Sequence, residues 1–351
     1  MPARTRWRHR VLRRSDLKAT HAPVEAVKVS LPQPAVGETT AAFRRLVENV
    51  ERVISGNPVV VETAAICLMA EGNLLLEGVP GVGKTMLARA LARSIGGEFS
   101  RIQATPDLLP SDVTGISVYD QGRHEFRFQP GPIFANVVLV DEINRTTPRT
   151  QSALLEPMEE RQVTVEGVTH LLPMPFVVIA TENPIDQHGT YPLPEGQLDR
   201  FSLTVSVGYP ERSRAADIVR RQLLRHPIED LEPVLGPEEV VRCQHAVREV
   251  HVDHTVIEYV VAVVHATRTA PEIALGASPR ATIALTRCAQ ARAISEGRDF
   301  VLPDDVKALA PAALAHRLIP RQGRSAAGVG REVVRRVLDE VAVPLGIVGR
   351  S

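Results

Sequence analysis

At 351 residues the chain is long enough to bury two sizeable hydrophobic cores. Its 44% hydrophobic and 23% charged residues are typical of a soluble globular protein, and no run approaches 18 uncharged apolar residues, so no membrane span is expected. Cys67, Cys243 and Cys288 are far apart and form no CxxC pair, which fits a reducing cytoplasmic setting and argues against a disulfide scaffold or structural zinc.

The net charge of zero hides an asymmetry. Residues 1–28 hold eight Lys/Arg against two Asp/Glu, and the remainder holds 33 against 39. This arm contains the only tryptophan, Trp7, and lacks apolar periodicity, while Pro23, Pro32 and Pro34 oppose folding; residues 1–37 are predicted to be a disordered basic arm. Arg13-Arg14-Ser15-Asp16-Leu17-Lys18 has the look of a twin-arginine export signal, but no apolar stretch follows it, so export is not expected.

A first helix is predicted from Thr39 or Thr40 to about Ile54, and a second from Pro58 to Ala70, where proline suits a first helical turn. The run Leu74-Leu75-Leu76 reads as a strand. After it come Gly78-Val79-Pro80-Gly81-Val82-Gly83-Lys84-Thr85 and a helix with Leu87, Leu91 and Ile95 on its buried face. Strand, glycine-rich loop ending in Lys-Thr, then helix is the context a phosphate-binding P-loop needs. The glycines let successive N–H groups curl around a phosphate, Lys84 adds charge for the outer phosphates, and the Thr85 hydroxyl can sit on Mg2+. Further strands are read at Phe99–Gln103, Val137–Val140, Phe176–Ile179 and Phe201–Val207. Continuous apolar runs of this kind suit a parallel sheet buried on both faces. Two hairpins interrupt the series, one from Ile116 to Phe128 and one around the Glu166-Gly167 turn between Val163 and Val168. Beyond Gly208-Tyr209-Pro210 helical periodicity takes over, as in Ala215/Ile218/Val219/Leu223, Val256/Val260/Val264 and Val333/Val334/Val337/Leu338/Val341. The expected organisation is an α/β nucleotide-binding domain over 38–208 and an all-helical one over 209–345.

The strand Val137–Val140 ends in Asp141-Glu142, the Walker B pattern. Asp141 would stand near Mg2+, and Glu142 where it can take a proton from an attacking water. The strand after Phe176 runs into Thr181-Glu182-Asn183, whose amide can orient that water from the other side. Leu198-Asp199-Arg200-Phe201 and Gly276-Ala277-Ser278-Pro279-Arg280 each offer an arginine; one that reaches a γ-phosphate is worth roughly 10³ to 10⁵ in rate. Other chemistries are weak. Arg280 stands where a GxSxG elbow needs glycine. His251, Asp253 and His254 read as a chance surface group rather than a metal site, with Asp253 capping the next helix.

In this order, these residues resemble the AAA+ ATPases, and more narrowly the MoxR family, over roughly residues 40–345. The phrases carrying the resemblance are Leu76-Glu77-Gly78-Val79-Pro80-Gly81, Thr105-Pro106-Asp107-Leu108-Leu109-Pro110-Ser111-Asp112-Val113-Thr114-Gly115 and Pro130-Gly131-Pro132-Ile133-Phe134. They continue in Asp141-Glu142-Ile143-Asn144-Arg145, Gln151-Ser152-Ala153-Leu154-Leu155-Glu156 and Gly189-Thr190-Tyr191-Pro192-Leu193-Pro194-Glu195. The resemblance implies an AAA+ P-loop core with a five-stranded parallel sheet, a C-terminal all-α lid, and ATP with Mg2+ as cofactors. It assigns Thr85 and Asp141 to the metal, Glu142 to the catalytic base, Asn183 to sensor 1, Arg280 to sensor 2, and Arg200 to an arginine finger reaching the neighbouring subunit. It makes the two hairpins the helix-2 and pre-sensor-1 inserts that face the pore of a ring. It further implies a homo-oligomeric, hexameric assembly that remodels or matures protein complexes, often metal-containing ones, with a von Willebrand factor A-domain partner. Glu182 stands where the family more usually has glutamine, and Asn57-Pro58 where it has Gly-Gln. Three other readings stay open at this level: a nucleic-acid motor, for which the basic arm would supply phosphate contacts; a magnesium-chelatase-like motor subunit; and a nucleotide-controlled scaffold with little turnover.

Overall fold

The computed structural model describes residues 34–79, 81–183, 190–209, 227–321 and 326–344, which belong to one compact unit. The basic arm up to residue 33, Pro80, the Gly189 end of one family phrase, and the Ala215/Ile218/Val219/Leu223 repeat lie outside the described residues.

Five strands, β1 (Leu74–Glu77), β2 (Phe99–Gln103), β5 (Val137–Asp141), β8 (Val177–Glu182) and β9 (Leu203–Ser206), form one parallel sheet in the order β2-β5-β8-β1-β9. Alternate residues of each strand face opposite layers. Leu74, Leu76, Val137, Leu139, Val177 and Ile179 pack on one side against helices α1 (Val36–Glu51), α2 (Pro58–Met69) and α3 (Lys84–Ser94). Leu75, Val138, Val140, Val178 and Ala180 pack on the other against Ile133, Leu154, Phe176 and Phe201. Because both faces are covered, the strands carry the unbroken apolar runs seen in the sequence. Helix α1 starts earlier than the threonines suggested, since the Ala35 carbonyl accepts from the N–H groups of Glu38 and Thr39.

The hairpins β3–β4 (Gly115–Asp120, Glu125–Pro130) and β6–β7 (Gln162–Val165, Val168–Leu171) are antiparallel pairs outside the main sheet. Glu166 and Gly167 both have positive φ, the geometry of a two-residue turn whose twist matches the strands. The Phe128 ring stacks on His170 at 3.9 Å between centroids, joining the two hairpins.

Beyond β9 the described residues form helices Pro237–Glu249, His254–Thr269, Pro279–Ser295, Pro303–Leu314 and Ala326–Glu340. Val256, Val260 and Val264 are buried at helical spacing, and the Asp253 carboxylate accepts from the Thr255 N–H to cap its helix. The region is not purely helical: Ile273–Leu275 and Ile319–Pro320 form a small antiparallel ribbon. Its inner faces share one continuous apolar core with the α1–α3 side of the sheet, running from Ala42 to Val337. Among the described residues, no helix is long and apolar enough to cross a membrane.

Candidate active site

Parallel order places the C-terminal ends of β5, β8 and β1 side by side, with a candidate functional residue at or just after each end. At the end of β1, Gly81 and Gly83 adopt φ of +82° and +93°, which residues with a Cβ rarely do. Gly83 caps α3 at its N-terminus, so the loop's last N–H groups and the helix end converge. A Cβ on Gly78 would lie 2.4 Å from the Val207 carbonyl oxygen, so this position admits only glycine without movement of β9. Lys84 is the first helical residue. Its Nζ donates to the Gly78 carbonyl at 2.6 Å. Burial lowers its pKa, and the nearby Asp141 and Glu142 carboxylates oppose that shift. Gly81, Gly83, Lys84, Thr85, Asp141 and Glu142 line a single cleft of about 510 Å³, together with Met86, Arg101 and Gln103. Thr85 and Asp141 offer that cleft a hydroxyl and a carboxylate, hard oxygen donors suited to Mg2+.

Asp141 ends β5, and both of its carboxylate oxygens are engaged. Oδ1 accepts from the Thr181 hydroxyl at 2.6 Å, and Oδ2 accepts from the Arg101 guanidinium on neighbouring β2 at 2.6 Å. Arg101 also donates to Gln103 Oε1 at 2.7 Å. Glu142 follows with φ 56° and ψ 49°, a left-handed conformation costing about 1–3 kcal/mol in a residue with a side chain. It is held there by its N–H on Thr181 Oγ1 (2.8 Å) and by an ion pair from Arg145 Nε to its carboxylate (3.0 Å). Asn183 is buried just past the end of β8. Just before it, Glu182 lies beside Glu77 in the β1–β8 register, and burial first, then the Glu77 charge, push its carboxyl above the usual range.

Arg200 and Arg280 do not line the P-loop cleft. They line a second cavity of about 260 Å³, where both donate to the Glu159 carboxylate, Arg200 through Nε at 2.9 Å. The cavity is also bounded by Arg161, Arg287 and Arg317. Arg317 is 7% exposed and donates through one guanidinium nitrogen to the carbonyls of Asp199 (3.0 Å) and Phe201 (2.8 Å), bracketing Arg200. Its Nε lies 3.5 Å from the Asp199 carboxylate. That carboxylate accepts from Ser278 Oγ at 2.8 Å, and Ser278 caps the helix carrying Arg280 by accepting from the Ala281 N–H. One partly buried network, centred on the buried Arg317, thus links the segments carrying both arginines.

Sequence reasoning missed Arg101, Arg145, Glu159, Thr181 and Arg317. Arg145 is within reach of inference, since it closes the phrase that begins with Asp141. Thr181 and Arg101 depend on strand register, and Glu159 and Arg317 on tertiary packing, so no local signal marks them.

A five-stranded parallel sheet with a P-loop after β1 and an Asp-Glu pair after β5 defines a P-loop ATPase. The family model described as ATPase family associated with various cellular activities (AAA) matches residues 73–203, and the AAA lid domain model matches 265–337. The chain is 50% identical to the protein YeaC of Bacillus subtilis, over 86% of this chain and 94% of that one. It is 43% identical to Chaperone MoxR1 of Mycobacterium tuberculosis, over 86% and 82% respectively. A crystal structure from Cytophaga hutchinsonii, 35% identical, superposes with a TM-score of 0.81 over 88% of this chain and 97% of that one. The chain belongs to the MoxR family of AAA+ ATPases.

Proposed function

We propose that this chain is a Mg2+-dependent ATPase of a hexameric cytoplasmic ring, which remodels or matures other protein complexes together with a von Willebrand factor A-domain partner. In this reading residues 38–208 are the nucleotide-binding domain and 209–345 the lid. Gly78, Val79, Pro80, Gly81, Val82, Gly83, Lys84 and Thr85 bind the ATP phosphates, and Thr85 and Asp141 would hold Mg2+. The ion, when bound, neutralises charge developing on the β- and γ-phosphate oxygens. Glu142 accepts the proton of the attacking water, and its ion pair with Arg145 keeps the carboxylate aimed into the cleft. Asn183 orients that water from β8. Arg200 serves the nucleotide of the adjacent subunit as an arginine finger, and Arg280 acts as sensor 2.

The observation that carries the reading is the separation of the two sets. Gly81, Gly83, Lys84 and Thr85 share one cleft with the metal and base candidates Asp141 and Glu142, whereas both arginines share Glu159 on another. A site split this way is completed by a second copy. The printed name of the Mycobacterium tuberculosis relative supports the chaperone role. Mixing Lys84→Ala subunits, which lack phosphate binding, with Arg200→Ala subunits, which lack the finger, tests the arrangement. Each variant alone should be inactive, and mixtures should regain part of the ATPase activity. No recovery at any ratio refutes a shared site.

A further inference from the structure

We infer that Thr181 is the positioning residue of the metal and base pair, setting the Asp141 carboxylate and the Glu142 backbone through a single hydroxyl. The inference rests on the reading of Asp141 and Glu142 given above. Three observations carry it. The hydroxyl donates to Asp141 Oδ1 at 2.6 Å and accepts from the Glu142 N–H at 2.8 Å. The residue is fully buried, at 0% exposure, so water cannot replace either bond. Its location is fixed by the sheet, because Ala180 pairs with Val140, which puts Thr181 level with Asp141 on the adjacent strand.

The chemistry restricts which side chain can do this. The carboxylate needs a donor and the N–H needs an acceptor, and a hydroxyl supplies both from one atom. Valine has the same shape and supplies neither. Without the hydroxyl, Asp141 keeps only Arg101 on Oδ2 and is free to turn toward it, away from the cleft. Glu142 loses one of the bonds that hold its left-handed turn. Thr181 touches no substrate in this scheme; it acts through its two neighbours.

The test is binding of a fluorescent ATP analogue to the full chain, first in EDTA and then with titrated Mg2+. Thr181→Val should bind the metal-free nucleotide within about twofold of wild type, since the P-loop is untouched. Its Mg2+ midpoint should rise about tenfold. Thr181→Ser, which keeps the hydroxyl, should restore that midpoint to within about twofold. A wild-type Mg2+ midpoint in Thr181→Val, or a Thr181→Ser midpoint as high as that of Thr181→Val, overturns the inference. Binding in EDTA also reports a folded cleft. If Thr181→Val fails there, Thr181→Cys takes its place: a raised midpoint supports the inference and a wild-type midpoint overturns it. Asp141→Asn separates the two levels. If it shifts the midpoint and the Thr181 variants do not, only this inference fails; if Asp141→Asn leaves the midpoint unchanged, the metal reading of Asp141 fails as well.

Discussion

Replacing Arg317 by methionine removes the buried guanidinium that brackets Arg200. The side chain donates to the carbonyls on either side of Arg200 and lies beside the Asp199 carboxylate. Two hydrogen bonds from a charged donor contribute about 1.5–3 kcal/mol each. Against this stands the cost of burying the guanidinium, which is large enough to push its pKa down despite the nearby Asp199. Breaking a buried pair on one side destabilises by about 3–5 kcal/mol, because the partner left behind keeps its charge. Such a loss is a large fraction of the 5–15 kcal/mol that holds a typical domain, so Arg317→Met should fold with a clearly lowered urea midpoint. The functional consequence is separate. With the backbone on both sides of it released, Arg200 loses its setting, and ATPase activity per folded subunit should fall at least about tenfold, within the roughly 10³ to 10⁵ that an arginine finger supplies. Nucleotide affinity should stay near wild type. In mixtures with Lys84→Ala subunits, Arg317→Met should behave as Arg200→Ala does and regain activity. Urea unfolding followed by circular dichroism, nucleotide binding and the mixing assay read the three effects. If activity falls only in proportion to the unfolded fraction, or stability changes by less than about 1 kcal/mol, the bracketing argument is wrong.

Three further outcomes follow from particular contacts. Gly78→Ala should weaken ATP binding and cost about 1–3 kcal/mol, because its Cβ would meet a backbone carbonyl at 2.4 Å; a variant with wild-type binding and urea midpoint contradicts the packing described. Ser278→Ala should cost about 1 kcal/mol through loss of a helix cap and should lower ATPase activity through Arg280, which a urea series with parallel rate measurements will detect. Burial, with the adjacent Arg317 charge, lowers the His316 pKa to about 3. The unfolded chain, with a histidine near 6.5, then takes up a proton between those values that the folded chain refuses. This contribution to stability is complete above about pH 6.5 and is lost as pH falls toward 3, by up to about 1.4 kcal/mol per unit. His316→Gln should flatten the dependence of the urea midpoint between pH 7 and 5, and an unchanged slope would exclude His316 as its source.

What could be read from the sequence was whatever lies within a few residues of itself. The P-loop, Asp141-Glu142 and the Glu166-Gly167 turn are local statements, since each needs only its own neighbours to define a backbone shape. The five strands were legible because burial on both faces leaves unbroken apolar runs. Thr181 was not legible, because its meaning comes from standing level with Asp141 on another strand. Arg317 looks like any arginine after a helix until the fold brings it against Asp199 and Phe201. The ribbon at Ile273 and Ile319 escaped notice because its strands are two and three residues long and far apart in the chain. Helix α1 began earlier than expected because a carbonyl, rather than a side chain, provides its first bonds.

Glu159 gives the arginine pair a property that neither arginine has alone. Within one subunit the two cations already share one internal anion, Glu159. Any outside anion must therefore compete with Glu159, and contact becomes an exchange of partners instead of a simple gain of charge pairs. Added salt weakens the contact that is surrendered along with the contact that is made, so the net dependence on ionic strength should be shallower than two arginines would suggest.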